Sequence, residues 1–182
     1  MNRYRIPLVL LLPLVLALAA CGSKPAAAQA AKEPVTLKPV EVRGYQGADL
    51  SSVNDFRENS IKGVQHVDPA TYRLEIAGLV ATPLSLTRDQ AVDRTLYRKV
   101  VTLHCVEGWD ATILWEGVKV KDLLAAAGYD AKASTIIFTA YDGYTTSFPL
   151  AWVTGNDILL AYKMNEIPVP DARGWPSVLV AE

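Results

Sequence analysis

The sequence predicts an α+β fold, mixed and strand-rich, on three observations. Short runs of alternating apolar and polar residues, heavy in β-branched and aromatic side chains, recur along most of the chain. Helical spacing is confined to two brief stretches. The runs are separated by turn residues rather than by long helices, so there is no βαβ rhythm, and no internal repeat is present. A chain of 182 residues holds one ordinary domain after a leader, long enough to bury a real core.

The elements follow in order. Residues 1–20 read as a lipoprotein signal peptide: Arg3 and Arg5 form a basic start, Ile6 to Ala17 an apolar centre, and Leu18-Ala19-Ala20-Cys21 a lipobox. The apolar stretch is shorter than the roughly 20 residues that cross a bilayer, so acyl chains on Cys21 are expected to hold the protein at the membrane. Residues 21–45 form the lipidated N-terminus and linker, small and polar through residue 34, then alternating over Val35–Val42 as an edge strand that tolerates Pro39. Residues 46–182 are the domain. Tyr72 to Ala77 is a half-buried strand stopped by Gly78, and Ala81-Thr82-Pro83 turns the chain. Thr87 and Gln90 have capping-box spacing, which predicts a short helix over 88–94. Lys99 to Leu103 is a buried strand that delivers His104 and Cys105 at its end. Residues 112–115 form another strand, punctuated by Gly117. Lys121 to Ala127 is a two-turn helix with Gly128 as C-cap, Leu123 and Leu124 facing inward. Two β-rich runs, 134–141 and 144–148, flank an Asp142-Gly143 hairpin turn. Asp157 to Tyr162 is a strand turned by Asn165-Glu166.

Charge excludes one class of partner. Eighteen Lys and Arg against 19 Asp and Glu give a net charge of −1, with no basic run to serve as a nucleic-acid footprint. Of the two cysteines, lipidation of Cys21 leaves Cys105 without an intrachain partner. Two readings of that thiol stand side by side: a buried small hydrophobe, or a reactive thiolate. His104 is badly placed to take its proton, because neighbours on an extended strand point to opposite faces. The remaining histidine is His66. The chain has no G-x-S-x-G elbow, Walker loop, H-E-x-x-H or paired C-x-x-C. A thiolate also serves as a soft ligand to a metal or metal-bearing cofactor, and that use needs no histidine.

Cys105-Val-Glu107-Gly-Trp109, followed by Ile113-Leu-Trp115-Glu-Gly117-Val-Lys-Val-Lys-Asp122, closely resembles the segment around the molybdenum-ligating cysteine of the sulfite-oxidase superfamily of molybdopterin-dependent oxidoreductases. The likeness is greater to the bacterial branch that includes the periplasmic protein-methionine-sulfoxide reductase catalytic subunit. It extends over Asn54-Asp-Phe56, Tyr72 to Val80, Tyr141 to Ser147, Leu160 to Asn165, Pro168-x-Pro170 and Gly174-Trp-Pro176. The resemblance implies a sulfite-oxidase-like molybdopterin-binding fold and a molybdenum–molybdopterin cofactor, with Cys105 as the protein ligand to molybdenum. It further implies cofactor contacts from Asn54 and Ser147, and catalytic roles for Cys105, Glu107 and Tyr144.

The implied chemistry is oxygen-atom transfer at the cell envelope, on a small-molecule or protein-bound oxide, with a haem protein as electron partner. Sulfite-oxidising members place arginines after the ligand cysteine; here Val106, Glu107, Gly108, Trp109 and Asp110 follow, which favours a neutral sulfoxide over an anion. In the family the domain continues beyond the position of Glu182 with a basic segment that helps hold the pterin phosphate, and exported members carry paired arginines where this chain has Arg3-Tyr4-Arg5. These departures define an alternative expectation: a cofactor-free, lipid-anchored binding or assembly domain that keeps the fold. With no acidic residue at Gly22 or Ser23, the expected location is periplasm-facing on the outer membrane of a two-membrane bacterium.

Overall fold

The computed structural model describes residues 39–55, 57 and 60–181. The lipobox, Cys21 and residues 35–38 of the expected edge strand lie outside the described residues.

The centre of the domain is a five-stranded antiparallel sheet. β5 (Tyr97–His104) pairs with β6 (Asp110–Lys119), β6 with β9 (Leu159–Met164), and the far side of β9 takes β10 (Ile167–Pro168) and β11 (Val178–Val180). Three two-stranded ribbons complete the strands: β1 (Gly44–Tyr45) with β2 (Ala48–Asp49), β3 (Leu74–Ile76) with β4 (Leu84–Leu86), and β7 (Thr135–Thr139) with β8 (Thr145–Pro149). Every one of these ladders is antiparallel, which agrees with the absence of a βαβ rhythm in the sequence.

Side-chain alternation splits the core into two layers. Ala111, Ile113 and Trp115 of β6, Leu159, Ala161 and Met164 of β9, and Val180 pack with Val53 on one face. Leu160 and Tyr162 of β9 and Val118 point the other way, where the helices and the β3–β4 and β7–β8 ribbons cover them. The face of β9 changes because the register slips between Glu116 and Gly117, leaving Tyr162 as the extra residue of a bulge.

β9 reaches only as far as Trp115 along β6, and Asn165 and Ser51 continue its ladder. Asn165 N–H donates to Leu114 O at 2.8 Å, and its side-chain Oδ1 accepts from Leu114 N at 3.0 Å. Ser51 N–H donates to Thr112 O at 2.8 Å while its Oγ accepts from Thr112 N at 3.0 Å. The backbone groups of a half-paired strand are thereby satisfied by a turn residue and a loop.

α1 (Arg88–Val92) starts at Thr87 with both halves of the capping box formed. α2 (Val120–Ala127) buries Leu123, Leu124 and Ala127 and ends at Gly128 in the left-handed region, φ 65°. The expected turn at Asn165-Glu166 is present, with φ of 48° and 68°.

Several expectations are corrected. Residues 39–42 are not a strand; instead Val42 N–H donates to Asn165 O, and Glu41 is drawn to the segment that follows β2. The strand expected at 112–115 runs on through Gly117 to Lys119, because Gly117 permits the close approach of β9 rather than a stop. The β7–β8 connection is wider than a two-residue turn: it spans Ala140–Tyr144 and is closed by Ala140 N–H to Tyr144 O. Asp142 widens it, since its buried carboxylate accepts from Tyr144 N at 2.9 Å and from Ile61 N at 3.3 Å. α3 (Leu150–Gly155) was not expected, because six residues are too few to display a helical period.

Candidate active site at the Cys105 hairpin

Cys105 is the first residue past β5, in the five-residue connection to β6. The connection is built from its own hydrogen bonds. Cys105 N–H donates to Trp109 O at 3.0 Å, Gly108 N–H donates to Cys105 O at 2.9 Å, and the Trp109 indole donates to Glu107 Oε2 at 3.2 Å. Trp109 packs against the central core cluster and so anchors the connection to the sheet. Below it, His104 and Asp110 form the last cross-strand pair, with Nδ1 and Oδ1 2.8 Å apart. That contact engages the imidazole nitrogen nearest the backbone with Asp110. The thiol is half-buried, whereas Val106 and Glu107 are exposed. A rigid, partly open thiol at a strand end is what a ligand or nucleophile requires.

Asn54 sits in a turn braced from several sides. Ser52 N–H donates to Asp55 Oδ2 at 2.6 Å, and Asn54 N–H donates to Ser52 Oγ at 3.3 Å. Glu41 accepts from Ser52 Oγ at 2.6 Å and Val53 N at 2.9 Å. Burial opposes the charge on Glu41, but these donors, with Asn165 and Arg43, outweigh it and hold the carboxyl below its ordinary range. Through Ser51 the segment is bonded to Thr112, so Asn54, itself exposed, is carried to the margin of the sheet beside the first half of β6.

The remaining predicted residues lie on a different ribbon. Tyr144 follows the β7–β8 turn and is exposed; Ser147, opposite Ile137, is on the outward face of β8. The inner face of that ribbon packs Ile136, Phe138 and Phe148 over α3. No hydrogen bond joins Tyr144 or Ser147 to Cys105, Glu107 or Asn54. One residue not assigned a site role from sequence is brought in: Arg173 donates from Nε to Val53 O at 2.7 Å, which fixes it next to Asn54. Its signal in the sequence was the adjoining Gly174-Trp-Pro176 motif. Among the described residues, no three His, Cys, Asp or Glu side chains converge as a metal cage. A single half-buried thiol suits a metal that arrives with its own chelating ligands.

The profile of the "Oxidoreductase molybdopterin binding domain" family matches residues 61–182. The "Uncharacterized oxidoreductase YuiH" of Bacillus subtilis is 32% identical over 110 residues, covering 60% of this chain and 56% of the relative. The "Putative protein-methionine-sulfoxide reductase subunit YedZ1" of Azospira oryzae is 32% identical over 116 residues, covering 64% and 44%. Mitochondrial sulfite oxidase of Homo sapiens is 31% identical over 143 residues, covering 62% of this chain and 26% of that protein. The chain thus spans about half the length of the first two relatives and about a quarter of the third. Among solved structures, the sulfane dehydrogenase SoxCD from Paracoccus pantotrophus superposes with a TM-score of 0.64 at 20% identity, covering 86% of this chain and 51% of that one; this likeness establishes the fold.

Proposed function

The chain belongs to the oxidoreductase molybdopterin-binding domain family, and from that premise we propose that it works as a molybdenum-cofactor-dependent oxidoreductase of the cell envelope, reducing sulfoxide-type oxides in preference to oxidising sulfite. The observation that carries the reading is the Cys105 connection: a self-braced turn that presents one half-buried thiol at the end of the central hairpin.

When bound, the cofactor supplies the two-electron redox change and the exchangeable oxygen. Cys105 would contribute the protein sulfur to the metal, and Asn54 and Ser147 would contribute polar contacts to the cofactor. Glu107, held by the Trp109 indole, and Tyr144 are the residues we assign to the substrate. Arg173 holds the Asn54 turn by its bond to Val53 O. The connection from Cys105 to Asp110 contains two carboxylates and no Lys or Arg. An incoming sulfite dianion meets repulsion there, whereas a neutral sulfoxide does not. We further assign membrane attachment to acyl chains on Cys21 and electron supply to a haem protein. Among the described residues no helix is long and apolar enough to cross a membrane.

The test is the Cys105→Ser variant beside the wild type, both expressed without residues 1–20 in a cytoplasm that makes the cofactor. The wild type is expected to hold molybdenum and to reduce small sulfoxides with a reduced dye faster than it oxidises sulfite. The variant replaces a soft thiolate by a hard hydroxyl and is expected to lose turnover by at least about a thousandfold, about 4 kcal/mol of barrier, while melting within a few degrees of the wild type. Wild-type protein without molybdenum would overturn the enzyme reading and leave a cofactor-free binding module. Sulfite as the better substrate would overturn the substrate preference alone.

A further inference from the structure

Glu41 lies ahead of the residues that match the family profile, which begin at 61, yet its side chain is only 18% exposed and both of its oxygens are bonded. Oε1 accepts from the Ser52 hydroxyl at 2.6 Å, and Oε2 accepts from Val53 N at 2.9 Å and from the Asn165 amide at 3.5 Å. Ser52 Oγ in turn accepts the N–H of Asn54 at 3.3 Å. Two successive bonds therefore lead from the carboxylate to the backbone of Asn54, and a third holds the residue before it. Arg43 lies 3.4 Å from Glu41 Oε1 and 3.7 Å from Asp55 Oδ2, and it donates from Nε to Leu50 O at 3.0 Å, so the same short segment grips both ends of the turn. Val42 N–H donates to Asn165 O at 3.0 Å, and Asn165 is the residue that completes the ladder of β6 at Leu114.

A carboxylate withdrawn from water is costly unless donors fill its lone pairs. Glu41 draws its donors from the Asn54 turn, and the consequence is a fixed Ser52 rotamer: a hydroxyl that gives its hydrogen to a carboxylate keeps its oxygen lone pairs for an incoming N–H, here that of Asn54. The other bonds of the turn do not reach this hydroxyl. Arg173 holds Val53 O, and Asp55 holds Ser52 N. Asn54 is exposed, so packing does not set its position, whereas a cofactor contact requires a group held to within about 0.5 Å. Resting on the reading that Asn54 contacts the cofactor, we propose that Glu41 is the positioning residue of that contact: its carboxylate locks Ser52 and Val53 and thereby sets where Asn54 is presented. The stretch around Glu41, whose alternation suggested only an edge strand, is then part of the site.

The test has two readouts on the full chain carrying Glu41→Ala, Glu41→Gln, Asn54→Ala or Glu41→Ala with Asn54→Ala. The first is amide hydrogen exchange, which needs no cofactor. The amides of Val53 and Asn54 are expected to exchange at least about tenfold faster in Glu41→Ala, and faster than wild type in the isosteric Glu41→Gln, with the β5–β6 ladder unchanged. The second is molybdenum retained through gel filtration after expression in a cofactor-producing cytoplasm. Glu41→Ala and Asn54→Ala are expected to lower it by the same factor, at least about threefold, and the double variant no further, because one residue acts through the other. Three results would overturn the proposal: wild-type exchange at Val53 and Asn54 in both Glu41 variants, faster exchange throughout the β5–β6 ladder as well, which would make Glu41 a general structural residue, or losses of molybdenum that multiply in the double variant. Wild-type protein without molybdenum would overturn the enzyme reading instead, and the exchange rates alone would then decide whether Glu41 positions the turn.

Discussion

Replacing Asn165 by alanine should be among the most costly single substitutions in the domain. The residue is fully buried, at 0% exposure. Its amide accepts from Leu114 N at 3.0 Å and donates to Ser51 O at 2.8 Å, with a weaker reach to Glu41 Oε2 at 3.5 Å. Removing it strands one buried backbone donor, Leu114 N–H, and one half-buried backbone acceptor, Ser51 O, each worth about 1–3 kcal/mol when unpaired. Alanine at φ 48° adds about 1 kcal/mol, since asparagine tolerates the left-handed region better. The backbone bonds of Asn165 to Leu114 and Val42 survive, so the loss is placed near 4 kcal/mol, a large share of the stability of an ordinary domain. Urea denaturation should show the midpoint falling with little change in slope, and thermal melting should fall by about 8–16 °C. Asn165→Gly removes the same amide without the dihedral cost and should be about 1 kcal/mol less damaging than alanine. A loss below 1 kcal/mol for Asn165→Ala, or alanine better tolerated than glycine, would refute the view that this side chain completes the ladder of β6.

The remaining predictions test the bulge, a surface ion cluster and the anchor. Gly117→Ala places a methyl 2.6 Å from Ala161 Cα and 2.7 Å from Leu160 C; since both are backbone, thermal melts should show at least about 2 kcal/mol of destabilisation. Asp157 is held at about 2 by hydrogen bonds from Lys121 and Lys119, below its ordinary 3.8, so its contribution is present above about pH 3.8 and is lost as pH falls towards 2. Acid titration of Asp157→Asn should lack that component, and high salt should shrink it in the wild type, because half of the side chain is exposed. Cys21→Ala should release the protein from membranes on fractionation, and unchanged membrane association would count against the lipobox reading.

What the sequence determined by itself is the part of the structure that depends on neighbours a few residues apart. Thr87 and Gln90 cap α1, Gly128 ends α2, and Asn165-Glu166 turns β9 into β10, because each device closes within four residues. The order and spacing of short motifs around Cys105 likewise pointed to the molybdopterin-binding family, later matched over residues 61–182. Tertiary structure decided everything that depends on partners distant in the chain. Gly117 reads as punctuation in sequence and is a point of close contact with β9 in space; Asp142 reads as a turn residue and also receives Ile61. In the candidate site, the bond from Arg173 to Val53 spans 120 residues and the bond from Asn165 to Ser51 spans 114, and neither leaves a periodicity to read. The physical reason is that a local pattern records which face of an element is apolar, whereas the pairing of particular buried donors and acceptors is settled only when the two segments are packed together.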